Sequence, residues 1–303
     1  MNRAVRAALA ALVVGVAACG GGKHRQPSRA PTGATDAPWL DEVVDAERDV
    51  VVSLSPRALA SDPVWGAFVG VAMDAALVHA RERGASASML EVLLRAEDFV
   101  LAVRDREGRD VVAVLAGVPS DLSPPSLTDE TGRALFAVAP PTGPVKTYVA
   151  VSPERRARIY ELPGGTWVFA LGAGVARAEQ AFVRPRSLAH APRLHPLAEV
   201  RFAGALLGAL RARTGPALRP VAEPLVHAKL SAGPTERGEA RVTLALVYPD
   251  RAAAAKAEAV AARAVEILTT RRDWVVRPEV ASDGATVTVT IAVAAAAAPR
   301  RVE

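Results

Sequence analysis

The chain has 303 residues, 50% hydrophobic, 23% charged and 4% aromatic, with one cysteine. That composition excludes a disordered polymer, allows one large core or two ordinary ones, and rules out an intramolecular disulfide or a cysteine-based zinc site. Of the formal net charge of +5, +4 falls in the first 36 residues, so the near-neutral remainder excludes a nucleic-acid binder read from bulk charge alone.

Met1 to Arg6 holds two arginines and no acid, and Ala7 to Ala18 is an unbroken run of small and aliphatic residues ending at Cys19. Twelve apolar residues are too few for a spanning helix, which needs about 20, but they suit a secretory signal peptide. The run closes as Val16-Ala17-Ala18-Cys19-Gly20, and here the sequence resembles the bacterial lipoprotein signal, whose lipobox precedes a modified cysteine. The resemblance covers about the first 20 residues. It implies a diacylglyceryl thioether on Cys19, cleavage before Cys19, acylation of the new amine by palmitate-type chains, and a membrane as the first partner. Two or more acyl chains anchor stably where one binds only marginally. Gly20 stands where an Asp favours inner-membrane retention in Gram-negative lipoproteins. The implied address is therefore the outer membrane facing the periplasm, with the cell surface as the second choice.

Gly20 to Pro38 has almost nothing apolar enough to pack and reads as a flexible tether. An acidic lead, Asp41 to Asp49, precedes Val50-Val51-Val52-Ser53-Leu54, a β-branched strand stopped by Ser55-Pro56. From Pro63 to Arg83, Trp65, Phe68, Val69, Ala72, Met73, Ala76 and Leu77 recur at three- and four-residue steps and predict an amphipathic helix, with a second over Ser88 to Ala96. Phe99 to Val103 and Val111 to Val118 flank Asp105-Arg106-Glu107-Gly108 as a hairpin. Four further strands are expected at Ala134 to Ala139, Lys146 to Val151, Arg158 to Leu162 and Thr166 to Leu171, then a helix, Val175 to Val183. Pro185, Pro192 and Pro196 mark an internal boundary.

Beyond it come a strand, Leu197 to Phe202, and helical pieces at Ala205 to Arg213 and Ala217 to Glu223. A hairpin of Leu225 to Leu230 with Glu239 to Tyr248 follows. Asp250 then caps a long helix, Arg251 to Arg272, before strands at Trp274 to Glu279 and Ala285 to Val293. The division is a signal segment 1–18, tether 19–38, first unit 39–184, connector 185–196, second unit 197–293 and tail 294–303. The class predicted is α+β: mainly antiparallel sheets with helices packed on one face. The order strand, helix, hairpin, helix, strand in both halves raises two divergent repeats, although residue identity between them is too low to establish a duplication.

Chemical constellations are sparse. Gly172-Ala173-Gly174 opens like a dinucleotide-binding loop, but Arg177 replaces the third glycine, so a strand-to-helix turn is favoured and no cofactor is expected. His190 and His195 lack metal-ligand spacing and acidic company, so no metal site is assigned. No Gly-x-Ser-x-Gly, Ser-x-x-Lys or His-Glu-x-x-His occurs, and Asp98, Asp105 and Asp110 read as solvated acids beside turns. Arginines 177, 184, 186, 193, 201, 211, 213 and 219 face only Glu179 and Glu199, a local net of +6. A solvated connector is the simple account. The sharper one is a docking surface at Arg184, Arg186 and Arg193 for anionic lipid or an acidic envelope protein. The function expected is a lipid-anchored envelope protein whose body binds or scaffolds. An envelope hydrolase with a Ser or Asp/Glu site assembled only in three dimensions is the alternative.

Overall fold

Strands dominate the described residues, which in the computed structural model are 38–44, 50–66, 69, 87–104, 110–152, 156–183, 197–202, 207–208, 211, 214–271 and 275–294. The chain divides into two units. The first draws on Thr32–Ala58 and Met73–Leu194, the second on Leu59–Ala72 and His195–Glu303.

In the first unit lie α1 (Pro38–Val43), β1 (Val50–Leu54), α3 (Ala87–Arg95), β2 (Asp98–Val103), β3 (Asp110–Ala116), β4 (Phe136–Thr142), β5 (Val145–Ala150), β6 (Ala157–Leu162), β7 (Thr166–Gly172) and α4 (Ala173–Val183). The short α2 (Pro56–Ser61) straddles the division at Ala58 and Leu59. Proline is tolerated at its first position because the missing N–H would have no helical partner there. The strands run in the order β1-β2-β3-β7-β6-β5-β4, every neighbouring pair antiparallel.

Every residue of β3 is buried, because both faces of the sheet are covered. Val112 and Val114, in register with Ala170 and Val168 of β7, meet Trp39 and Leu40 of α1 and Ala178 and Phe182 of α4 in one apolar cluster. Phe182 sits between Trp39 and Tyr160, with ring centroids 5.6 and 5.2 Å away. On the opposite face Leu115 and Trp167 join Val92 of α3 and Val118 and Leu127 of the long β3–β4 connection. A strand covered on both sides reads as a continuous apolar run, and Val111 to Val118 does.

The second unit holds β8 (Ala198–Phe202), α5 (Arg219–Ala222), β9 (His227–Ala232), β10 (Glu239–Val247), α6 (Arg251–Arg271), β11 (Val275–Asp283) and β12 (Thr286–Ala294). Its order is β11-β12-β10-β9-β8, again antiparallel throughout. Here one face carries the core: Ala228, Leu246, Val287 and Val289 pack with Ala254, Ala257, Ala261 and Val265 of α6. The other face presents Thr243, Thr288, Thr290 and Ser231, none of them buried. Asp250 caps α6 as expected, its carboxylate accepting from the Ala253 N–H at 2.8 Å.

The expected α+β class is corrected by this arrangement. Antiparallel strands, twelve among the described residues, form the framework, and five of the six described α-helices have only 4 to 11 residues. Helices restricted to one face fail in the first unit because its central strands bury side chains on both. The expected repeat order fails as well. Among the described residues no strand of the first unit follows its last helix, α4, whereas in the second two strands follow α6, so a shared closing strand is missing. β4, at one end of the first unit's strand order, and β11, at one end of the second's, each carry proline, Pro140-Pro141 and Pro278, at a break in register. Missing N–H groups and bulges discourage pairing with further chains.

Candidate functional site

The turn between β7 and α4 is where sequence chemistry and structure meet. Gly172 adopts φ +62°, which lets the strand reverse into the helix, and a Cβ on Gly174 would lie 2.5 Å from the Val111 carbonyl oxygen. The two glycines serve close packing of a helix on a strand. β7 is antiparallel to both its neighbours, β3 and β6, so the parallel crossover of a dinucleotide fold is absent at this turn.

That close approach sets Arg177 of α4 over Asp110, which is in register with Gly172. An Arg177 guanidinium N–H donates to Asp110 Oδ2 at 2.6 Å, and both side chains are mostly buried, 15% and 12% exposed. Arg177 Nε and Nη2 and Asp110 Oδ1 make no hydrogen bond. Two residues along α4, Glu179 accepts from Arg158 of β6. Burial first, and then the nearby Glu179 charge, push the Tyr160 hydroxyl up to about 12, so it stays protonated and faces the Val175 carbonyl. These groups brace α4 against the sheet and place no nucleophile beside a base.

Asp98 and Asp110, expected as solvated loop acids, are 3% and 9% exposed. Asp105 lies outside the described residues. Their burial was hidden because each sits at the first residue of a strand, where local sequence resembles a turn. Arg177 in the second turn of a helix preceded by Gly172 and carrying Gly174 at its second position was the available signal for the pair.

Cys19, Arg184, Arg186 and Arg193, the residues singled out for lipidation and anion docking, lie outside the described residues, as do His190, His195 and Arg213. The four described arginines of the basic stretch are all engaged. Besides Arg177, Arg201 Nε donates to Glu199 at 2.6 Å. Arg211 donates to the Leu225 carbonyl, and Arg219 lies 3.7 Å from Glu223 one helical turn away. Glu199 also pairs with Lys229 at 2.7 Å. Burial raises the Glu199 carboxyl, but Lys229 and Arg201 outweigh it and hold it below the ordinary carboxylate value. His227, expected in a strand, is exposed in β9.

Among the described residues no group of three or more His, Cys, Asp or Glu could hold a metal ion. No described helix is long and apolar enough to cross a membrane. No protein-family model matches the chain, and no curated protein matches it. One solved structure, described as crystal form I of TP0453, is similar at a TM-score of 0.46 and 11% identity, covering 87% of this chain and 95% of that one. At that level the likeness bears on neither fold nor function.

Proposed function

We propose that this chain is a lipid-anchored cell-envelope protein, held at the outer membrane through Cys19 with its body facing the periplasm, and that the body binds or scaffolds. The carrying observation is the position of the only cysteine among 303 residues: directly after a twelve-residue apolar run that follows two arginines. The pairing of Asp110 with Arg177, Glu179 with Arg158 and Glu199 with Arg201 and Lys229 supports a structural use of the charges. Arg184, Arg186 and Arg193 are the residues assigned to an anionic surface, because they lie at the start of and within a proline-rich stretch with no acid beside them.

Metabolic labelling with a clickable fatty acid tests the anchor. Wild-type chain takes up label and Cys19→Ala does not; equal labelling of the two would end the reading. Charge reversal at Arg184, Arg186 and Arg193 lowers retention on anionic liposomes at low salt if those residues dock lipid, and unchanged retention removes the assignment.

A further inference from the structure

The β9–β10 hairpin has an irregular tip. Its ladder runs to the pair Ala232 and Val242, and the Gly233 N–H still reaches the Arg241 carbonyl at 2.7 Å. The strands meet again only at Glu236 and Glu239, which exchange hydrogen bonds of 2.8 and 3.0 Å around Arg237 and Gly238, both at positive φ. Gly233, Pro234 and Thr235 therefore oppose Ala240 and Arg241, a one-residue excess. Such a bulge leaves ladder groups without strand partners, here the Thr235 N–H and the Gly233 carbonyl.

Both groups are satisfied by a segment more than 160 residues away in sequence. Thr235 N–H donates to Asp62 Oδ2 at 2.7 Å, and its hydroxyl donates to Asp62 Oδ1. The Trp65 indole N–H donates to the Gly233 carbonyl at 2.7 Å. The same Asp62 Oδ1 accepts from the Val64 and Trp65 N–H groups at 2.9 and 3.0 Å, so one carboxylate both folds the local turn and grips the bulge. Leu59, Val64 and Trp65 are buried, and a Cβ on Gly66 would lie 2.6 Å from the Ala60 carbonyl oxygen, which keeps the turn tight. By its contacts this segment belongs to the second unit, although β1 and β2, which flank it in the chain, belong to the first.

We infer that the Asp62–Trp65 turn is a latch for the bulged β9–β10 tip: an intramolecular occupant of a docking site made by two backbone groups that the bulge leaves without strand partners, releasable while the strands of its unit remain folded. Three features support release without unfolding. On the turn's side, the hydrogen bonds to the bulge described above use the Asp62 carboxylate and the Trp65 indole, which are side-chain groups. The bulge lies beyond the last regular ladder pair. Among the described residues no main-chain ladder joins the turn to the hairpin. Release frees residues 59–66 and exposes an acceptor and a donor on the hairpin tip.

Hydrogen–deuterium exchange on the full chain tests this. The double variant Asp62→Ala/Trp65→Phe is expected to exchange at least tenfold faster over residues 59–66 and 231–238, with β12 and α6 unchanged. Thr235→Val, which removes one donor and keeps the N–H, gives a smaller increase in the same two segments. Unaltered protection at 231–238 would overturn the latch, because the bulge would then hold itself. Loss of protection across β12 and α6 would overturn it too, since the turn would be part of the core. Where the double variant does not fold, Thr235→Val decides by the same criterion.

Discussion

β3 of the first unit and β12 of the second show two ways of building an antiparallel strand. β3 reads Asp110-Val-Val-Ala-Val-Leu-Ala116 and is buried at every position. β12 reads Thr286-Val-Thr-Val-Thr-Ile-Ala-Val-Ala294, with Val287 and Val289 in the core and Thr288 and Thr290 outside it. The difference lies in what covers the second face. In the first unit α3 and the β3–β4 connection supply a second apolar layer. In the second unit the small hydroxyl side chains of the opposite face need none, because hydroxyls remain hydrated where apolar groups would have to be buried.

The contrast is sharpest where the layers are thickest. Phe182→Ala empties the space between Trp39 and Tyr160, and a loss of about 3–5 kcal/mol is expected from urea unfolding; Thr288→Ala on the open face is expected to change stability by less than about 0.5 kcal/mol. Similar losses for the two would remove the distinction between a sheet covered twice and one covered once.

Charges divide in the same way. Arg177→Met strands Asp110 in a mostly buried site, and a cost of about 2–3 kcal/mol is expected, reduced from the fully buried case by residual exposure of the pair. Adding Asp110→Leu should recover most of that loss, because three polar atoms of the pair already lack hydrogen bonds. A double variant no more stable than Arg177→Met alone would show that the pair is worth its desolvation.

In the second unit the partners of Glu199 are more open, Arg201 at 45% and Lys229 at 35% exposure, so Glu199→Gln should cost only about 1 kcal/mol. Because the folded carboxyl titrates below its unfolded value near 4.5, its contribution is complete above that pH and disappears as pH falls through the lowered value. The stability difference between wild type and Glu199→Gln should therefore shrink on acidification, measured by urea unfolding between pH 7 and 3. A difference that grows on acidification would reverse the assigned sign.

Local pattern carried the elements far better than their assembly. The run Val111 to Val118, the alternation of Thr286 to Val293 and the Asp250 cap are properties of short windows, and the structure places elements where they predict. The helix Pro38–Val43 has no such window. Its Trp39, Leu40 and Val43 are helical because a sheet face and α4 receive them. The one-sided α+β class failed for a related reason, since a count of helices does not say how many sheet faces are apolar. Asp110 with Arg177 and Asp62 with Thr235 join residues 67 and 173 positions apart. Neither pair leaves a trace in spacing. The cysteine behind the proposed anchor is legible because the pattern that precedes it is contiguous in sequence.

Intact-mass and peptide mass spectrometry of the mature protein extracted from membranes tests the lipid anchor directly. The account predicts a chain beginning at Cys19 and bearing a diacylglyceryl thioether. A mature chain that begins at another residue, or retains an unmodified Cys19 thiol, would contradict it.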